Sequence, residues 1–71
     1  MAYDYSALCG KIVEICKTQS AFAARMNLSE RTVSLKLNNL RAWKQPEIIK
    51  ACEVLAIPDT DIARYFFKKV V

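Results

Sequence analysis

Apolar residues recur at three- and four-residue spacing along most of the chain, and polar or capping residues interrupt them where helices can begin and end. Leu8, Ile12 and Ile15 stand one turn apart, Cys9, Val13 and Cys16 widen their stripe, and Asp4 or Ser6 can cap its start. This pattern predicts a helix from about Ser6 to Lys17. Gly10 falls inside it at a cost of roughly 1 kcal/mol against alanine, which either close approach of another helix or simple tolerance would explain. Thr18 is suited to cap a second helix, in which Phe22 and Met26 share one face, Ala23 allows close packing and Asn27 supplies a left-handed end. Leu28 plugs the following turn. Ser29 then caps a third helix whose buried stripe is Val33, Leu37 and Leu40.

Leu40 to Gln45 reads as an irregular connection holding Arg41, Trp43 and Lys44, with Trp43 either a lid on the core or an anchor facing a partner. Pro46 suits the first turn of a fourth helix, buried along Ile48, Cys52 and Leu55 with Ile49 and Ala56 beside them. Pro58 ends it. Asp59, Thr60 and Asp61 start a short fifth helix carrying Ile62, Tyr65 and Phe66. The expected fold is all-α, a compact five-helix arrangement in one domain of 71 residues. Only the tail, Phe66 to Val71, has strand propensity, and pairing with another chain would make it a small dimer contact.

The run from Gln19 to Asn38 is a helix-turn-helix by spacing, the device by which many small proteins present a helix to DNA. Charge placement agrees with that reading. Lys17, Arg25, Arg31, Lys36, Arg41 and Lys44 face only Glu30 across residues 17–44, giving +5, whereas the remaining five basic and six acidic residues give −1, within a net charge of +4. Turning about 100° per residue from Val33 puts Arg31, Ser34, Leu35 and Asn38 on the opposite side of the third helix. Arg31 can bond guanine, Asn38 adenine and Ser34 either kind of base, while Leu35 can meet a thymine methyl. Ser29 and Glu30 open the same helix, Glu30 being suited to the positive helix end or to cytosine.

Gln19 and Ser20 offer helix N-terminal N–H groups to a phosphate, and Asn39, Arg41 and Lys44 can hold flanking phosphates. Lys36 lies at the core edge, its stem packed and its ammonium expected to snorkel outward to the backbone. An ordinary solvated face would account for each of these residues singly.

Composition removes several classes of function. The core of so short a chain leaves little room for an enclosed substrate cavity, the three cysteines Cys9, Cys16 and Cys52 lack a C-x-x-C pair, and no histidine is present to complete a zinc site or a nucleophile. No enzyme activity, cofactor, metal or small-molecule substrate is therefore expected, and the cysteines read as buried apolar residues of a reducing compartment. With no apolar run long enough to span a bilayer and no signal-peptide layout at MAYDYS, the expected location is cytoplasmic, away from membranes.

FAARMNLSERTVS, with Phe22, Ala23, Met26, Leu28 and Val33 at the small or apolar positions, resembles the lambda-type repressor and Cro family of phage regulators. More narrowly, DYSALCGKIVE, SERTVSLKLNN, EIIKACEVLAI and IARYFF look like short regulators of Gram-positive phages and prophages. The resemblance implies a helix-turn-helix at helices 2 and 3, with Gln19, Ser29, Glu30, Arg31, Ser34, Leu35 and Asn38 available to double-stranded DNA. It also implies a homodimer on pseudo-palindromic operators. The leading expectation is a Cro- or repressor-like transcriptional regulator with helix 3 in the major groove. The alternative is an antirepressor or modulator that binds a repressor protein and acts on DNA only through it, for which the modest charge, Leu35 and the aromatic C-terminus are suited.

Overall fold

The computed structural model describes residues 2–70, and among them the chain forms five α-helices: α1 Ser6–Cys16, α2 Gln19–Met26, α3 Glu30–Leu37, α4 Gln45–Leu55 and α5 Ile62–Phe66. A single 3-10 turn, Asp59–Asp61, leads into α5. The all-α expectation holds. Helix α1 packs on α2, α4 and α5, and α2 packs on α3 and α4. Leu8, Phe22, Val33, Leu55 and Phe66 meet in the centre with little or no exposure. Each such aliphatic or aromatic side chain contributes roughly 1.5–3 kcal/mol by leaving water.

The helix ends follow from local chemistry. Thr18 Oγ1 accepts from the Ala21 N–H at 3.0 Å, and Ser29 Oγ accepts from the Thr32 N–H at 3.1 Å, so each cap satisfies a donor that the first helical turn leaves open. Asn27 ends α2 at φ 58°, and the Leu28 N–H then reaches back to the Ala23 carbonyl at 2.9 Å. That reversal turns Leu28 onto the core and brings α3 across α2. Helix α4 begins with the Lys44 N–H bonded to Glu47 Oε1 at 2.9 Å, has Pro46 in its first turn, and ends on Ala56 at φ 54°.

Several apolar positions differ from expectation. Leu40 is 74% exposed because α3 stops at Leu37 and Asn39 turns left-handed at φ 62°, taking Leu40 out of helical phase while its N–H bonds the Leu35 carbonyl. Val13 is exposed on α1, and Cys9 is exposed while Cys16 and Cys52 are buried. Apart from its chain neighbours and its own helix backbone, nothing lies within 4 Å of where a Cβ on Gly10 would stand, so no helix approaches there. Gly10 is a tolerated residue.

The tail pairs within its own chain. Tyr3 and Lys69 form an antiparallel bridge, with the Asp4 N–H donating to the Lys68 carbonyl at 2.7 Å and the Val70 N–H to the Ala2 carbonyl at 3.4 Å. Asn39 closes the opposite edge. Its Oδ1 accepts from the Tyr3 N–H at 2.8 Å and its Nδ2 donates to the Tyr3 carbonyl at 2.9 Å, so a side-chain amide stands where a neighbouring strand would. The connection after α3, the N-terminus and the tail are thereby joined. Val71 of the tail lies outside the described residues.

Candidate interaction surface

The proposed reading face of α3 is much less suited to phosphate than its sequence suggests. Lys36, expected to send its ammonium outward, is 1% exposed. Its Nζ pairs with Glu47 Oε1 at 2.8 Å, donates to the Ala42 carbonyl at 2.9 Å and lies 5.8 Å from the centre of the Trp43 ring. Lys36 cannot hold a phosphate from there. Burial works against the charge on Glu47, but hydrogen bonds from Lys36 and from the Lys44 N–H, with the attraction of both cations, outweigh it and hold its carboxyl below the ordinary glutamate range.

The other sequence candidates are divided between solvent and internal work. Glu30 and Arg31 are exposed and adjacent, so the outer surface of α3 carries one charge of each sign. Ser34 and Leu35 are half-buried. Asn38 Nδ2 donates to the Ser34 carbonyl at 2.7 Å, Ser29 caps α3, and Asn39 grips Tyr3, which commits three polar side chains to the fold. Gln19 is half-buried and Ser20 exposed at the start of α2, while Arg41 and Lys44 are exposed on the connection before α4. Arg25, counted in the basic segment, points its guanidinium at Cys16 Sγ, 3.6 Å away.

A larger apolar feature lies beside this face. Tyr3, Tyr5, Arg41, Trp43 and Phe66 line a cleft of about 290 Å³. It shares Trp43, Ile48 and Phe67 with an open trough of about 460 Å³, which Gln45, Ile49 and Ile62 complete. Phe67 is 48% and Ile49 53% exposed, a concentration of surface aromatic and aliphatic groups that marks an interaction site more often than scattered apolar residues do. Edge-on contacts fix the rings: Tyr3 with Phe67 at 6.1 Å and Trp43 with Phe66 at 5.4 Å between centres. The Trp43 Nε1–H is buried with no acceptor among the described residues.

Sequence spacing missed this groove because residues of α4 and α5 are joined there by walls from the N-terminus, the connection before α4 and the tail, none of which is periodic. The available signal was composition: most of the aromatic residues lie outside the predicted helical stripes. Among the described residues no helix is long and apolar enough to cross a membrane, and no cluster of three or more potential metal ligands occurs.

The family model described as protein of unknown function DUF739 matches residues 1–69, and the chain belongs to that family. The chain is also similar to a solved structure, the solution structure of the modulator of repression (MOR) of the temperate bacteriophage TP901-1 from Lactococcus lactis. Identity is 58%, the match covers 100% of this chain and 97% of that one, and the TM-score is 0.84. No curated protein matches the chain. These findings correct the resemblance to the lambda-type repressor and Cro family: the helix-turn-helix spacing is present, but the kinship is with DUF739 and with a phage modulator.

Proposed function

We propose that this member of the DUF739 family is a modulator of repression that binds a repressor protein and reaches DNA only through it. The observation that carries this reading is the full-length likeness, at 58% identity, to a modulator of repression. The same finding overturns the expectation of a Cro- or repressor-like protein that reads operator DNA with α3. The geometry agrees with the correction, since burial of Lys36 leaves Arg31 as the one exposed cation of α3, offset by Glu30. A protein that draws affinity from phosphates needs several such cations on the face that meets the duplex.

The aromatic groove is the surface we assign to the repressor. Tyr, Trp and Arg are the residues most enriched where protein interfaces draw their energy, and Tyr3, Trp43 and Arg41 stand together here. Exposed Arg41 lines the cleft beside its aromatic rings, so the complementary patch on the repressor is apolar with an acidic side chain at its rim.

Titration calorimetry with a purified repressor from the genome that encodes this protein, together with gel shifts of that repressor's operator DNA, tests the proposal. The expected result is a saturable protein complex and no shift of naked operator by this protein alone. A shift of operator DNA without any repressor complex would overturn it.

A further inference from the structure

We infer that Lys36 is a positioning residue, whose buried ammonium sets the connection before α4 so that Trp43 is presented to the protein partner. The inference rests on the assignment of the aromatic groove to the repressor.

Lys36 is the only buried charged side chain among the described residues. Stability does not explain a lysine there, because an apolar residue of similar length in place of a buried ion pair is often neutral or stabilising. The contacts supply another reason. An ammonium has three donors and no acceptor, and this one meets the Ala42 carbonyl, the Glu47 carboxylate and the face of Trp43. The same Glu47 oxygen accepts from the Lys44 N–H. One charge thus fixes Ala42, Trp43 and Lys44 in sequence.

Asn39 ties the start of the connection to Tyr3, and beyond it the connection has little else to hold it. Arg41, Ala42 and Lys44 are exposed, and between the end of α3 and the start of α4 only Trp43 is packed against the core. Burial and the edge-on contact with Phe66 seat the ring, while the Lys36 contacts hold the backbone on either side of it and one face of the ring. Trp43 lines the cleft and the trough alike, so its orientation shapes the whole groove. Lys36 lines neither. It acts on the partner through Trp43.

The test is the double variant Lys36→Met/Glu47→Gln, in which methionine fills the lysine's space and glutamine keeps an acceptor for the Lys44 N–H. Trp43 is the chain's only tryptophan, so its fluorescence reports the connection directly. The expected result is an unfolding midpoint equal to or above wild type, a red-shifted Trp43 emission more open to acrylamide, and affinity for the repressor about tenfold weaker. The last follows if the binding-ready orientation is populated about one-tenth of the time. Unchanged affinity, or unchanged Trp43 emission and quenching, would overturn the inference.

Should the double variant fail to fold, Glu47→Gln alone weakens the pair at constant size, and its Trp43 quenching must still rise. Failure of the wild-type protein to bind the repressor sinks the proposed function instead. The Trp43 measurement on the free protein decides the positioning role in either case.

Discussion

Replacing Asn39 by glycine removes the side-chain amide that grips Tyr3 and leaves the backbone undisturbed, because φ there is 62° and glycine enters that region without a Cβ penalty. Two hydrogen bonds disappear, of 2.8 and 2.9 Å. Each carries a net ~0.5–1.5 kcal/mol in a folded protein, and since water can replace the amide at this exposed site the pair together is worth about 1 kcal/mol. The wider freedom of glycine in the unfolded chain adds ~0.5 kcal/mol. For a domain of this size a loss of ~1.5 kcal/mol lowers the melting temperature by about 6–12 °C.

Asn39→Asp keeps the left-handed tolerance and the acceptor for the Tyr3 N–H but loses the donor, so its loss is about half as large. Thermal unfolding by far-UV circular dichroism orders the three proteins. Amide exchange at Asp4 and Val70, which bond across the terminal ribbon, locates the effect. If Asn39→Gly melts with the wild type, or melts lower while Asp4 keeps its protection, the clasp does not secure the ribbon.

Three further outcomes are expected. Gly10→Ala raises stability by ~0.5–1 kcal/mol because the new methyl group meets no neighbour and the helix interior favours alanine, and Ala56→Gly gains about as much by relieving a left-handed alanine at φ 54°; chemical denaturation measures both. The depressed pKa of Glu47 contributes stability that is present above its unfolded value of 4.5 and is lost as pH falls through the folded value, so the denaturation midpoint declines below about pH 4.5 and declines less in Glu47→Gln. Asp4, also lowered by its hydrogen bonds to Ser6, keeps part of that acid sensitivity in the variant. Phe67→Ala, at a half-exposed ring, costs about 1 kcal/mol of stability but weakens repressor binding by 30-fold or more, a loss of at least ~2 kcal/mol; calorimetry beside a melting curve separates the two.

Legibility in the sequence followed the range of the chemistry. Thr18, Asn27 and Ser29 could be read directly because a cap and the donor it satisfies lie within one turn. Pro46 marked the first turn of α4 for the same local reason, whereas the helix ends on left-handed Ala56, two residues before Pro58. Lys36 could not be read: rotation put it at the core edge, where a snorkelling lysine is usual, and only Glu47 on the next helix makes full burial tolerable. The Asn39 clasp spans 36 positions, and the pairing of Tyr3 with Lys69 joins the two ends, distances at which no periodicity operates. The partner was the least legible feature, because a helix-turn-helix fixes how two helices cross and leaves open what covers them.

The chain's single glycine occupies mid-helix Gly10, while the left-handed end of α4 falls to Ala56. Each residue type would be better placed where the other stands, and the exchange is worth about 1–2 kcal/mol. In a cell a difference of that size changes the amount of a small protein several-fold, through the fraction of molecules open to proteases. Under the proposed function, in which the protein acts by occupying a repressor, quantity is the output. Gly10→Ala and Ala56→Gly, at positions that line neither the cleft nor the trough, are therefore expected to raise the amount of folded protein in a cell, as quantitative immunoblotting would measure.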